Sequence, residues 1–594
     1  MESPAENLAA LRAELSKRCL DGFVVPLTDE HMSEYVAPYA KRLAWLTGFL
    51  GSAGTAVVLA DKAALFIDGR YTIQAKDEVD ETLFALVDFP ATTPAQWLEK
   101  NAAPGQRIGY DPWLHGIAWV EETQGRLAAI DAELVALDDN PIDAVWASQP
   151  ARPTHPIVPH DVTHAGLTHD EKLAAIAEAI AAARADACVL AALDSIAWAF
   201  NIRGADIANT PVGLAFAIVD KHGAAQLFTD PEKVAPPLAR HLGEAVRLAP
   251  RDEFAAALDA LGKARAVVLL DKTNIVAAIF ARLQKAGARI VKGRDPTLIP
   301  KACKNAVEAE GARAAHVRDG AAVCEFLAWF ESEALKGGLS EIAAADYLAA
   351  RRRRRNLFQD LSFRTISAAG PHAAIPHYSV TPRSNLEIPL NSVFLIDSGG
   401  QYLDGTTDIT RTVAVGDAPL EARQRFTLVL KGHIALATAR FPEGTPGRAL
   451  DTLARQALWR SGLDFDHGTG HGVGSYLAVH EGPQRIAKAN ADEPLRPGMI
   501  LSNEPGYYKA GAYGIRIENL VLIREARAAG DERPMLGFET LTLAPIDRTM
   551  IEASLLDDGE KDWLNGYHAM VWARLADEVD PAIRPWLEQA TRPI

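Results

Sequence analysis

The residues best suited to chemistry lie in the last third of the chain. Leu395-Ile396-Asp397-Ser398-Gly399 sets an acid at the end of a buried apolar strand. Asp404-Gly405 signals a tight turn, and Thr406-Thr407-Asp408-Ile409-Thr410 is β-branched and strand-like. Two adjacent antiparallel strands would let Asp397 and Asp408 point into one site, where two like-charged buried acids need cations. His467-Gly468-Thr469-Gly470-His471-Gly472-Val473-Gly474 follows. Four glycines in eight residues argue against a helix or a central strand and allow close backbone approach while two histidines are presented. Val479-His480-Glu481-Gly482-Pro483 comes next, then Asn503-Glu504-Pro505-Gly506, with an acid at a strand end before a Pro-Gly turn. In Gly514-Ile515-Arg516-Ile517-Glu518-Asn519 apolar and charged residues alternate, so one strand would carry Arg516 and Glu518 on one face.

Carboxylates with one imidazole suit Mn²⁺, Co²⁺ or Zn²⁺ rather than a structural thiolate zinc. Four carboxylates are too many for a single catalytic zinc and fit a two-metal site, with ions roughly 3.5–4 Å apart. Each fragment alone has an ordinary structural explanation, a turn or a satisfied core histidine. The ordered set is far more specific.

The elements that must position these residues are α/β in pattern. Residues 21–75 and 186–230 repeat one order: a short apolar strand after Asp, an Ala-Trp turn-and-helix piece, then two β runs. The runs are Thr55–Leu59 and Ala64–Ile67 in the first copy, and Ala215–Val219 and Ala224–Phe228 in the second. Helix-period stretches follow, so two α/β domains related by duplication are expected. Pro-rich segments at 149–159 and 292–301 read as stiff, non-helical connectors. A long helix is expected over 305–333, then a second helix ending in Arg351–Arg355, a run read as a solvated face. Lys plus Arg number 61 and Asp plus Glu 77, a net charge of −16. That balance argues against nucleic acid and anionic membrane as partners. The four cysteines are far apart with no CxxC spacing, which fits a reducing compartment. The N-terminus reads as an amphipathic helix rather than a signal peptide, and no stretch suits a membrane span.

Together LIDSG, DGTTDIT, HGTGHGVG, VHEGP, NEPGYY and GIRIEN resemble the pita-bread metallopeptidases, and most of all the long, three-domain, cytosolic Xaa-Pro aminopeptidases (aminopeptidase P). GSAGTA, DGRY, IAWAFNIRG, HVRDGAAVCEFLAW and FETLTLAPID extend the likeness over nearly the whole chain. The resemblance implies creatinase-N-terminal-like domains at 1–155 and 156–303 and a pita-bread catalytic domain at 304–594. It implies that Asp397 chelates one metal, that Asp408 and Glu518 bridge both, and that His471 and Glu504 hold the other. Glu504 would also act as general base, and His480 would stabilise the gem-diolate intermediate. His377 would stand near the leaving side, His467 in the substrate pocket and Arg516 close to Glu518. Two divalent ions, most of all Mn²⁺, peptides with proline second, a homodimer and a cytoplasmic setting are implied with them. His372 stands where a small or amide residue is usual, and Asn503 where Asp is expected. Both bear on substrate preference and on hydrogen bonding around the ligands. A prolidase restricted to dipeptides would use the same ligands, and a non-catalytic pita-bread binding module is the alternative from another class.

Overall fold

The computed structural model describes residues 3–594. These form two compact units. The first comprises the chain up to His160 together with Leu167–Leu298, and the second Asp161–Gly166 with Ile299–Ile594.

The first unit contains the repeat. One six-stranded sheet runs, in spatial order, Ala85–Asp88, Ala63–Ile67, Thr55–Leu59, Gly22–Pro26, Arg107–Tyr110 and Glu133–Ala136. The other runs Val246–Pro250, Ala225–Thr229, Phe216–Asp220, Ala187–Leu190, Val267–Asp271 and Arg289–Gly293. Numbered along each copy, the spatial order is the same. So is the pattern of neighbours, with two antiparallel pairs at the centre and parallel pairs outside. The inner strands are apolar throughout because both faces of each sheet are covered: all five residues of Gly22–Pro26 and of Ala63–Ile67 are buried. In the second copy the strands start one residue later than expected. The connector at 292–301 is not wholly extended, since Leu298–Ala302 makes a single helical turn. Its Pro300 falls in that first turn, where a missing N–H costs nothing.

The second unit is built on an antiparallel six-stranded sheet ordered Arg440–Pro442, Met535–Thr540, Asn519–Glu525, Ile500–Asn503, Gly470–Gly472 and Glu481–Ile486. Beside it is a three-stranded sheet of Ile366–Ala369, Ser392–Ser398 and Ile409–Val415. The long helix, Ala306–Ala334, is started by Asn305, whose side chain caps the amides of Val307 and Glu308 in a capping box. It lies very close to neighbouring backbone at its glycines. A Cβ on Gly311 would meet Asp404 O at 2.3 Å, and one on Gly320 would meet Leu543 O at 2.3 Å.

The arginine run departs from its expected solvated face. The helix stops at Arg352, which is 0% exposed and forks onto Asp319 at 2.7 and 3.0 Å. Arg355 pairs with Glu325 at 2.7 Å, while Arg353 and Arg354 are exposed. A run at a helix C-terminus spreads over several directions, so one member turned inward and found a buried carboxylate.

Candidate active site

Each acid sits where a strand stops. Asp397 is the penultimate residue of Ser392–Ser398 and lies opposite Thr410 on Ile409–Val415. Asp408 does not lie within one continuous strand. Gly405–Thr406 belongs to a different sheet, and the chain crosses between the sheets at Thr407-Asp408. Glu504 immediately follows Ile500–Asn503, and its N–H donates to Thr469 O at 2.8 Å. The GIRIEN segment is also not one strand. Tyr513–Arg516 pairs with Gly506–Lys509, Asn519–Glu525 joins the six-stranded sheet, and Glu518 lies in the step between them.

His471 corrects the expectation that glycine density excludes a strand. Gly470–Gly472 is a short strand inside the six-stranded sheet, between Ile500–Asn503 and Glu481–Ile486. Its glycines serve close approach rather than turning: a Cβ on Gly470 would sit 2.0 Å from Ser502 O.

The side chains converge. Among the described residues, Asp408, His471 and Glu518 present ligand atoms that all lie within 4.8 Å of one another. His471 Nε2 is 3.4 Å from Asp408 Oδ2 and 3.8 Å from Glu504 Oε1. Arg516 Nη2 meets Asp397 Oδ2 at 2.6 Å, so its direct ion partner is Asp397 rather than Glu518. Thr410 joins the two: its hydroxyl accepts from Arg516 Nε at 3.0 Å and donates to Glu518 Oε2 at 2.7 Å.

This donor set fits divalent cations. His471 Nδ1 lies 2.9 Å from Gly472 O, so it carries the proton and leaves the Nε2 lone pair facing the carboxylates. Among the described residues, Asp397 Oδ1 and Asp408 Oδ1 are buried without a hydrogen-bond partner. Burial first, and then repulsion from Asp408, pushes Asp397 up to about 6. Burial raises Asp408 and Glu504 to about 7. Glu518 is driven well above the carboxylate range by burial and by the charges of Asp408, Asp397 and Glu504. Acids held together at this cost are a site for positive charge.

The histidines surround the cluster. His480 packs edge-on against His471, with ring centroids 4.4 Å apart. His467 Nδ1 lies 2.7 Å from Gly468 O and 4.0 Å from Glu504 Oε2. Its Nε2 takes a hydrogen bond from Tyr508 OH at 2.7 Å, and that hydroxyl accepts from Arg516 Nη1 at 2.6 Å. His377 is half-buried in the turn after the Gly370–Ala374 helix, and Arg516 Nη2 donates to the adjacent Pro376 O at 3.3 Å. Asn503 has a role that an ionised Asp could not fill, since its amide donates to His433 O at 2.9 Å.

Sequence reasoning passed over Thr410, Tyr508 and the partners of Glu481. Thr410 is the last residue of DGTTDIT, and Tyr508 is the second tyrosine of NEPGYY. Glu481, next to His480, is fully occupied by Lys301 Nζ at 2.9 Å and by Lys304.

The sequence profile of the Creatinase/Prolidase N-terminal domain matches residues 7–144, and a second profile of that description matches 148–308. The profile of metallopeptidase family M24 matches 310–525, and that of the C-terminal region of peptidase M24 matches 534–594. A probable Xaa-Pro aminopeptidase P of Coccidioides posadasii is 42% identical across 99% of this chain and 99% of its own length. The chain belongs to metallopeptidase family M24. Another M24 relative, a probable Xaa-Pro aminopeptidase P of Neosartorya fischeri, is 41% identical over 99% of this chain and 92% of its own. Among solved M24 structures, the X-prolyl aminopeptidase of Caenorhabditis elegans superimposes with a TM-score of 0.95 at 37% identity, covering 100% of both chains. That protein is described as a cytosolic enzyme with a di-nuclear active site.

Proposed function

We propose that this chain is an aminopeptidase that hydrolyses the bond between the first residue of a peptide and a proline at the second position. The observation that carries the reading is the burial of Asp397, Asp408 and Glu518, with half-buried Glu504, around the Nε2 side of His471, in an M24 chain aligned end to end with Xaa-Pro aminopeptidase P relatives. Asp397 would hold one ion, Asp408 and Glu518 would bridge, and His471 and Glu504 would hold the second. We infer Mn²⁺, with Co²⁺ and Zn²⁺ as the other ions this ligand chemistry suits. The bound pair would supply Lewis acidity at the scissile carbonyl and acidify the attacking water.

The protein's own groups then account for proton movement and selectivity. The proline nitrogen of an Xaa-Pro bond carries no N–H, so a peptidase that grips that group is poor at it. Glu504 accepts the proton of the attacking water and delivers it to the leaving nitrogen, a task suited to a carboxyl raised toward neutrality. His480, facing His471, donates to the developing oxyanion. His377 stands on the leaving side, and His467, fixed by Tyr508, lines the pocket. We also infer a homodimer acting in the cytoplasm on short peptides. The C. elegans neighbour is described as cytosolic, and among the described residues no helix is long and apolar enough to cross a membrane.

Asp408→Ala and Glu504→Ala should each lower cleavage of an Xaa-Pro-Xaa peptide by at least about 100-fold, with far-UV circular dichroism unchanged. Chelation should remove activity and Mn²⁺ restore it, with two ions per chain by metal analysis. Turnover near wild type in either variant, or chelator-resistant activity in metal-free protein, would overturn the reading. Cleavage of Xaa-Pro dipeptides alone would make the chain a prolidase.

A further inference from the structure

The helix Glu341–Arg352 opens on a carboxylate that is 0% exposed. Glu341 Oε1 accepts from Ala369 N at 2.8 Å and His372 Nδ1 at 2.9 Å. Oε2 accepts from Leu386 N at 3.0 Å and Tyr378 OH at 3.1 Å. All four donors belong to residues 369–386, the segment that contains His377. The backbone reinforces the arrangement: Glu341 N donates to Leu386 O at 3.0 Å, and Ser367 Oγ donates to Glu341 O at 2.7 Å. The His372 and Tyr378 rings stack at 4.3 Å, so the two side chains that reach Glu341 also brace each other. At its other side the segment touches the acid cluster. Arg516, the partner of Asp397, donates to Pro376 O, and a Cβ on Gly514 would lie 1.7 Å from Ala373 O.

We propose that Glu341 is a positioning residue for catalysis: by gathering both ends of the 369–386 segment, it sets where His377 stands on the leaving side of the scissile bond. The proposal rests on the role given above to His377. A buried carboxylate with four donors is a rigid node, because moving any donor leaves charge unsolvated. What position 372 supplies is an N–H toward Glu341, which an imidazole provides as well as an amide.

A double-mutant cycle tests this. Glu341→Gln keeps the shape but turns an NH₂ toward two of the four donors. In the wild-type background it should lower kcat about 10-fold or more, with KM and the content of two metal ions unchanged. In the His377→Ala background the same substitution should cost less than about twofold. His372→Ala should lose kcat in parallel, and His372→Asn should restore it. If Glu341→Gln does not fold, Tyr378→Phe enters the same cycle. An equal fold-loss in both backgrounds, or an unchanged kcat in Glu341→Gln, would overturn the proposal. Wild-type kcat in His377→Ala alone would remove the role of His377 and the proposal with it, a result obtained before Glu341 is touched.

Discussion

Thr410 Oγ1 lies between a guanidinium and a carboxylate, and its position shows why some site residues were legible in the sequence and others were not. Asp397, Asp408, His471, Glu504 and Glu518 declared themselves because acids and imidazoles next to glycines and strand ends have few structural uses. Thr410, Tyr508 and Glu341 did not, because their side chains are ordinary and most of their partners lie far off in sequence. The hydroxyl of Thr410 meets Glu518 across 108 positions.

The same acids set a pH dependence. Without metal, Asp397, Asp408, Glu504 and Glu518 bind protons more tightly folded than unfolded. Their contribution to stability is therefore greatest below the unfolded pKa of about 4, and it is lost as pH rises toward 7. Metal binding requires the deprotonated forms. The difference in melting temperature between Mn²⁺-loaded and chelated protein should therefore widen from pH 5 to pH 8 in differential scanning calorimetry. A gap independent of pH would show that these acids are not the ligands.

At the scale of elements, periodicity located the long helix to within a residue or so, and the β runs of the repeat almost as well. It did not reveal where strands break. Asp408 and Glu518 both fall in steps between sheets, and a β-branched or alternating stretch looks the same whether it is paired with one sheet or two. The strand at His471 was hidden for a related reason. Glycine lowers strand propensity, yet here the backbone of Ser502 comes so near that only glycine fits at 470. Helix Ala306–Ala334 depends on the same kind of contact at Gly320. Gly320→Val should therefore destabilise the protein by about 1–3 kcal/mol, read as a lower urea midpoint. Gly566→Ala, where a Cβ would meet nothing within 4 Å, should be neutral or stabilising in the same assay.

For the whole molecule, the repeat was readable as an order of pieces, but the identity of the two sheets was not. Which strands run parallel is decided by crossovers that no local pattern encodes. The two compact units should also respond differently to metal. All the proposed ligands lie in Ile299–Ile594. Chelation at pH 7.5 should accordingly move the calorimetric transition of that unit and leave the transition of the other in place, with limited proteolysis identifying which is which.

The second unit also includes Asp161–Gly166, six residues embedded in the sequence of the first. Their short helix lies along Ala306–Ala334, and Asn305 Nδ2 donates to Ala165 O at 2.9 Å. The buried lysines that hold Glu481 beside His480 lie within 148–308, the stretch matched by an N-terminal-domain profile. No single cut in the chain therefore separates the two units. A cut between the two profiles, after residue 308, would part Lys301 and Lys304 from the Glu481 carboxylate whose charge they balance beside His480.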